Sequence, residues 1–342
     1  MTHITKKPLS LCIIIVNWRA QQQLNLCLAG LQKWPRYAAE VIIIENEGTT
    51  TEPPPGATQF WSNPENEGFA FAVNQALKLT EQPFVLLLNP DCLIDEPTVL
   101  TLFERIQSDP NMAFIGPKVL DQDGHPVRAC RRDFHLLGQL TRQYLLLDRW
   151  FSSAKRYDVS GVAPCIQGSV MMGRREMFLA EGGLDDRVPL YLDDMDLCKR
   201  AQDRGLTVWY EASVTAQHIG GVSVQQLPNP KLSSLVSYVA QDLYFLKHHS
   251  WLHVIGHHVL LLICSLIFLP LNLLLFPLAL TRTRHLSQYL VKHAAMFCYA
   301  ITFWYPKLSL PRHWPHSLKQ ALKKQKDLPS KAGPKPKQPE QV

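Results

Sequence analysis

Between Lys247 and Arg282 the chain carries no Asp, Glu, Lys or Arg. The core of that gap, Val259–Leu280, spans 22 residues and is apolar except at Ser265, Pro270, Asn272 and Pro277. As a helix it would extend roughly 33 Å, enough to cross a hydrocarbon layer of about 30 Å. A core helix buried on every side is the other way to hide such a run. The two prolines argue against one straight span. A shorter, aromatic-rich run follows at Ala294–Tyr305.

Charge placement constrains how this segment lies. The net charge of +6 is concentrated at the end: from Pro306 onward nine Lys or Arg face only Asp327 and Glu340. A basic tail beside apolar segments predicts contact with anionic membrane lipids and no role in binding nucleic acid, although a solvated tail has the same composition. Arg282, Arg284 and the tail are expected on the cytoplasmic side of the inner membrane. With the N-terminal part on that side too, the apolar segment forms either a re-entrant hairpin broken around Pro270–Asn272 or two spans, with Ala294–Tyr305 as the return. Beyond about Ser317 the Lys-Pro composition predicts disorder. Met1–Ser10 lacks the apolar run of a secretory signal. The eight cysteines are scattered, with no pair at metal-ligand spacing, so a reducing compartment is expected and a disulfide framework or zinc site is not.

The N-terminal two thirds read as α/β. Leu11–Val16, Glu40–Ile44 and Phe84–Leu88 are short apolar runs without alternation, separated by helical patterns at Leu24, Leu28 and Leu31 and over Phe69–Leu79. Such strands predict a parallel sheet covered on both faces, with ligands gathering at the strands' carboxyl ends. That edge should hold Asn17, Glu45, Asn46 and Asn89–Asp91. The stretch Gln122–Ala163 is irregular; patterning returns at Val170–Met172, from Arg175, and at Leu206–Tyr210, and ends near Gln225–Pro230. The expected division is a catalytic domain over 1–230, a helical membrane-associated region over 231–310, and a basic tail over 311–342.

Four constellations carry chemistry. Asn89-Pro90-Asp91 can present a carboxylate to Mg²⁺ or Mn²⁺ against diphosphate oxygens, though Asn-Pro-Asp is also an ordinary turn. Tyr191–Arg200 holds Asp193, Asp194 and Asp196, more acid than a helix start requires, and neighbouring carboxylates raise each other's proton affinity toward general-base work. Pairing with Lys199 and Arg200 is the bland alternative. His218 before Gly220-Gly221 can ligate a metal or meet a phosphate, or serve structure alone. Asn63–Ala70, with Asn66 and Gly68 opening a helix that carries Asn74, suits a phosphate or ribose loop as well as a plain cap.

The order and spacing of these stretches resemble the family 2 glycosyltransferases of GT-A fold, over about residues 8–225. The nearest branch is similar to bacterial rhamnosyltransferases of O-antigen and cell-wall assembly. The resemblance rests on Ile13–Trp18, Asn66–Ala70, Leu88–Asp91, Gly168 with Arg174–Phe178, Gly183–Asp185, Asp193–Arg200 and His218–Ser223. It implies a mixed, mainly parallel Rossmann-like sheet, an inverting single displacement, and a divalent cation held by Asp91 and His218. It further implies Asp194 as the base that deprotonates the acceptor. Asn17, Glu45 and Asn46, with Asn66, Gly68, Asn74, Asn89 and Gly168, fall on the nucleotide-sugar side. Two departures stand out: Glu45-Asn46 where the family commonly has Asp-Asn, and Asp193-Asp194 where it often has Glu-Asp, so either carboxylate can be the base. The implied donor is a nucleotide sugar, first dTDP-rhamnose, and the implied acceptor is a polyprenyl-diphosphate-linked saccharide that Arg131 and Arg132 can meet. A processive polysaccharide synthase of the same fold and a degenerate membrane-bound scaffold are the alternatives.

Overall fold

The computed structural model describes residues 9–34, 38–48, 52–145, 147, 157–187, 190–220, 233–275 and 283–302. Gly221–Ser223, the expected domain end at Gln225–Pro230, Pro277, Arg282 and the basic tail lie outside these residues.

The first half runs β1 (Leu9–Asn17), α1 (Gln21–Leu31), β2 (Ala38–Asn46), β3 (Gln59–Asn63), α2 (Phe69–Leu79) and β4 (Phe84–Leu88). It continues through β5 (Cys92–Leu93), α3 (Glu96–Ser108), β6 (Met112–Leu120), α4 (Leu137–Tyr144), β7 (Gly161–Val162) and β8 (Val170–Arg174). Then follow α5 (Arg175–Leu179), α6 (Asp193–Asp203) and β9 (Thr207–His218). Three longer helices close the described chain: α7 (Ser233–His248), α8 (Trp251–Leu275) and α9 (Thr283–Thr302).

Among the described residues nine strands form one sheet in the order β3-β2-β1-β4-β8-β6-β9-β5, with β7 paired to β9. β3, β2, β1 and β4 are mutually parallel. The sheet is mixed, as the family resemblance implies: β8 enters antiparallel between β4 and β6. The long excursion after β6 brings the chain back from the opposite end. The pattern of β1 explains itself in place. Cys12, Ile14 and Val16 face one core with α2, while Leu11, Ile13 and Ile15 face the other with α1 and α3. A central strand buried on both faces has no reason to alternate.

The first of those cores does not end at the sheet. It runs through Met195 and Leu197 of α6 into Leu235, Val239 and Phe245 of α7, Leu261 of α8 and Tyr299 of α9. A fully buried carboxylate ties the three last helices together. Asp242 on α7 accepts from His257 Nδ1 (2.6 Å) and His258 Nε2 (2.8 Å) on α8, and from the Tyr299 hydroxyl on α9.

The described residues contain one helix long and apolar enough to cross a membrane, Trp251–Leu274, and only 39% of its most apolar window is buried. Leu252, Ile255, Val259, Ile263, Leu266 and Leu274 are exposed at spacings of three to eight residues along one side, while Leu261, Cys264 and Ser265 are buried on the other. A core helix buried all round is thereby excluded. The expected break at Pro270–Asn272 is absent, since α8 is helical to Leu275. Contacts on either side of the proline hold it against α9: Phe268 stacks on His293 at 5.4 Å, and Asn272 Nδ2 lies 3.0 Å from His293 Nδ1.

Candidate active site

The carboxyl ends of β1 and β2 build the first wall. Asn17 Nδ2 donates to Glu45 Oε2 at 2.6 Å, and both residues are buried. Burial and the nearby Glu47 charge raise the Glu45 carboxyl above its usual range, against the Asn17 hydrogen bond. Asn17 Oδ1 is buried and has no hydrogen-bond partner among the described residues, leaving one acceptor available at this edge. Outside this pair, Glu47 accepts from Trp18 Nε1 (2.5 Å) and from Arg19 Nε (2.8 Å) and Nη2 (2.7 Å). Arg19 and Glu47 stand 28 residues apart, and the sequence offered no signal joining them.

The Asn-rich loop is held from within. Asn46 Nδ2 donates to Asn66 Oδ1 (2.9 Å) and Gly68 O (3.2 Å), and Asn46 Oδ1 accepts from Glu67 N (3.1 Å) and Asn63 Nδ2 (3.2 Å). Asn66 Oδ1 also takes the Gly68 N–H at 2.9 Å. These amides shape the turn at Gly68, whose φ of +92° suits glycine as it opens α2. Asn74 is likewise engaged: its amide exchanges two 2.8 Å bonds with the backbone of Leu184. It thereby fixes the Gly183–Asp185 segment against α2.

The third group forms because two distant strands meet. Cys92 of β5 lies opposite His218 of β9, which sets Asp91, just after β4, beside the imidazole. His218 Nε2 is 3.2 Å from Asp91 Oδ1. Asn89 contributes backbone here, its N–H donating to Ser169 O at 2.9 Å. Gln167, which sequence reasoning did not single out, places Nε2 3.2 Å from His218 Nδ1. Its Oε1 is buried with no partner among the described residues. A half-turn of that amide would let Oε1 accept from Nδ1–H and leave the Nε2 lone pair for a cation. Asp91, Cys92 and His218 lie close enough together to bind one ion. Burial and the Asp91 charge push the Cys92 thiol well above its usual range, so the oxygen and imidazole donors suit a cation such as Mg²⁺ or Mn²⁺ better than a soft metal. The residues present fit such an ion.

The acidic segment divides. Tyr191 (φ +71°) and Leu192 (φ +63°) both adopt the left-handed region just before α6, a strained entry that is common at functional sites. Asp194 Oδ1 accepts from Arg132 Nη2 and from its neighbour Met195 N (2.7 Å), and Oδ2 accepts the Gly168 N–H at 2.9 Å. Gly168 allows this close approach: a Cβ there would stand 3.2 Å from that of Asp194, close enough that the carboxylate would have to shift. Burial and the Asp194 charge raise Asp193 to about 7. Asp196 turns the other way. It meets Arg200 Nε (2.9 Å), Lys247 Nζ (2.8 Å) and His248 Nε2 (2.7 Å), locking α6 to α7. Arg131 and Arg132 also separate. Arg131 Nη1 donates to Val159 O at 2.8 Å, with its guanidinium over the Tyr210 ring, while Arg132 reaches Asp194.

This chain belongs to the family 2 glycosyltransferases. The model described as "Glycosyltransferase like family 2" matches residues 8–237, more than half of the chain. The low-salt glycan biosynthesis hexosyltransferase Agl10 of Haloferax volcanii is 24% identical over 220 residues, 61% of this chain and 66% of its own. The chain thus spans somewhat under two thirds of that relative. The N-acetylglucosaminyl-diphospho-decaprenol L-rhamnosyltransferase of Mycobacterium tuberculosis is 23% identical over 265 residues, 70% of this chain and 85% of its own. Among solved structures, a mannosyltransferase from Pyrobaculum calidifontis in complex with GDP-Man and Mn²⁺ superposes with a TM-score of 0.51 at 14% identity, covering 86% of each chain. That likeness supports the GT-A fold, a mixed sheet with helices on both faces.

Proposed function

We propose that this glycosyltransferase moves a hexose, in the first instance L-rhamnose from dTDP-rhamnose, to a polyprenyl-diphosphate-linked saccharide, with inversion at the anomeric carbon. The observation that carries the reading is the shared carboxyl edge. Asp91 and His218 stand at one end of Gln167-Gly168 and Asp194 at the other, joined by the Gln167–His218 and Gly168–Asp194 contacts. The rhamnosyltransferase and hexosyltransferase relatives support the sugar class, and the decaprenol in one relative's name supports a lipid-linked acceptor.

In this reading Asn17 and Glu45 hold the nucleoside, within a wall kept in shape by Asn46, Asn66, Gly68 and Asn74. Asp91 and His218 would hold a divalent cation, which supplies positive charge opposite the donor diphosphate. Asp194 takes the proton from the acceptor hydroxyl as that oxygen bonds to the anomeric carbon. The bond from that carbon to the diphosphate breaks on the opposite face, and nucleoside diphosphate leaves. Asp193, beside Asp194 at the start of the same helix and raised by burial and the Asp194 charge, is the alternative base.

The apolar face of α8 supports seating in the cytoplasmic leaflet, with α8 and α9 as a helical hairpin that leaves the catalytic residues in the cytosol. The test is a panel of nucleotide sugars offered with a short prenyl-diphosphate saccharide and read by mass. A product heavier by one sugar residue, dependent on the lipid acceptor, supports the reading. Turnover with no donor, or with free monosaccharide alone as acceptor, would overturn it.

A further inference from the structure

We propose that Arg132 is a positioning residue that orients and charges the base, presenting Oδ2 of Asp194 as its proton-accepting atom. The inference rests on the reading of Asp194 as the base. Among the described residues, Oδ1 is occupied by Arg132 Nη2 and the Met195 N–H, whereas Oδ2 accepts from Gly168 N alone. One lone pair of Oδ2 is therefore open to a hydroxyl, and the side chain as a whole is 12% exposed.

Arg132 is built to stay where it is. Its backbone forms a two-way bridge with Cys165, Arg132 N to Cys165 O at 3.0 Å and Cys165 N to Arg132 O at 3.1 Å. Its Nε donates to Cys165 Sγ at 3.4 Å, and its side chain is 20% exposed. A surface arginine reaching for a passing phosphate has neither restraint. The planar fork spends one arm on the thiol and the other on the carboxylate, so the angle of Asp194 follows from the Arg132–Cys165 bridge. The site holds few other charges. Asp193 lies beside Asp194 on the same helix, and Cys198 one turn on. From other elements come Cys165 and His135, and burial lowers that imidazole to about 4, leaving it neutral. Arg132 is thus the cation placed directly against the Asp193–Asp194 pair.

The sign follows directly. A guanidinium against a carboxylate favours its charged form, so loss of Arg132 makes the pair harder to ionise. For Arg132→Gln the acid limb of kcat/KM should move up by about one pH unit or more, with kcat down about 10²-fold from the lost orientation. Acceptor KM should change little. Arg132→Lys restores a buried cation without the fork: the limb returns toward the wild-type position while kcat stays low. Both variants are assayed with the donor and prenyl-diphosphate acceptor that the wild type turns over, beside Asp194→Asn. An immobile limb with acceptor KM raised more than tenfold would make Arg132 an acceptor anchor and overturn the proposal. An immobile limb with a parallel fall in kcat and melting temperature would make it merely structural. If Arg132→Gln does not fold, Arg132→Lys decides alone, and unchanged kcat refutes the orienting role. Full turnover by Asp194→Asn would instead sink the assignment of the base.

Discussion

Replacing Asp196 by Ala tests whether α6 is held in place from behind. Asp196 is 3% exposed and neutralises Lys247 and Arg200, with His248 as a further donor; among the described residues Asp185 would be left as the carboxylate beside them, through Lys247. Removing one member of a buried ion pair costs about 3–5 kcal/mol, because the remaining charges stay buried. At about 2–4 °C per kcal/mol for a domain of this class, the melting temperature in detergent should fall by roughly 6–20 °C. Activity should fall as well, since Asp194 lies two residues away on the same helix. The pH dependence has a definite sign. Burial alone would raise this carboxyl, but His248, Lys247 and Arg200 together hold it below its usual range. Its stabilisation is therefore present above the unfolded carboxyl's titration near pH 4 and is lost as pH falls through the lower folded value. The wild type should lose melting temperature below about pH 4, and the variant should show a flatter decline. A melting temperature within about 2 °C of wild type, as for an exposed pair, would refute this account of α6.

Asp194→Asn should lower kcat by about 10³-fold or more while nucleotide-sugar binding, read by calorimetry, stays within about threefold. EDTA should stop transfer and Mn²⁺ or Mg²⁺ restore it, and His218→Ala should raise the metal concentration needed for half-maximal rate by about 10–100-fold. Gly168→Ala should lower kcat about tenfold or more with a small change in melting temperature, because its methyl would crowd Asp194. The double change Ile263→Glu with Leu266→Glu, both on the exposed side of α8, should release the protein from liposomes without loss of its melting temperature.

How much of this was legible in the sequence depends on where each signal resides. β1 and β4 were legible because strands buried on both faces read as unbroken apolar runs, and the polar residues that end them fall on the ligand edge. Asp91 and Asp194 could be singled out, but only their order among other motifs gave them meaning. Asp196 could not be separated from Asp193 and Asp194, since a helix turns residues two positions apart to different sides and the partners of Asp196 lie on α7. Arg131 and Arg132 part for a similar reason: Arg131 is extended (φ −145°, ψ 110°), and successive side chains of an extended segment point opposite ways. The antiparallel entry of β8 was hidden because a five-residue strand carries no mark of its direction. Pro270 gave a false stop, as packing against α9 outweighs one lost helical hydrogen bond.

The most direct test of the central claim is the configuration of the new glycosidic bond. Product made by the wild type from its nucleotide sugar and a prenyl-diphosphate saccharide would be examined by NMR at the anomeric carbon. Inverted configuration, with no product from Asp194→Asn, is the result predicted for one displacement assisted by one carboxylate. Retained configuration, or the same product at full rate from Asp194→Asn, would contradict it.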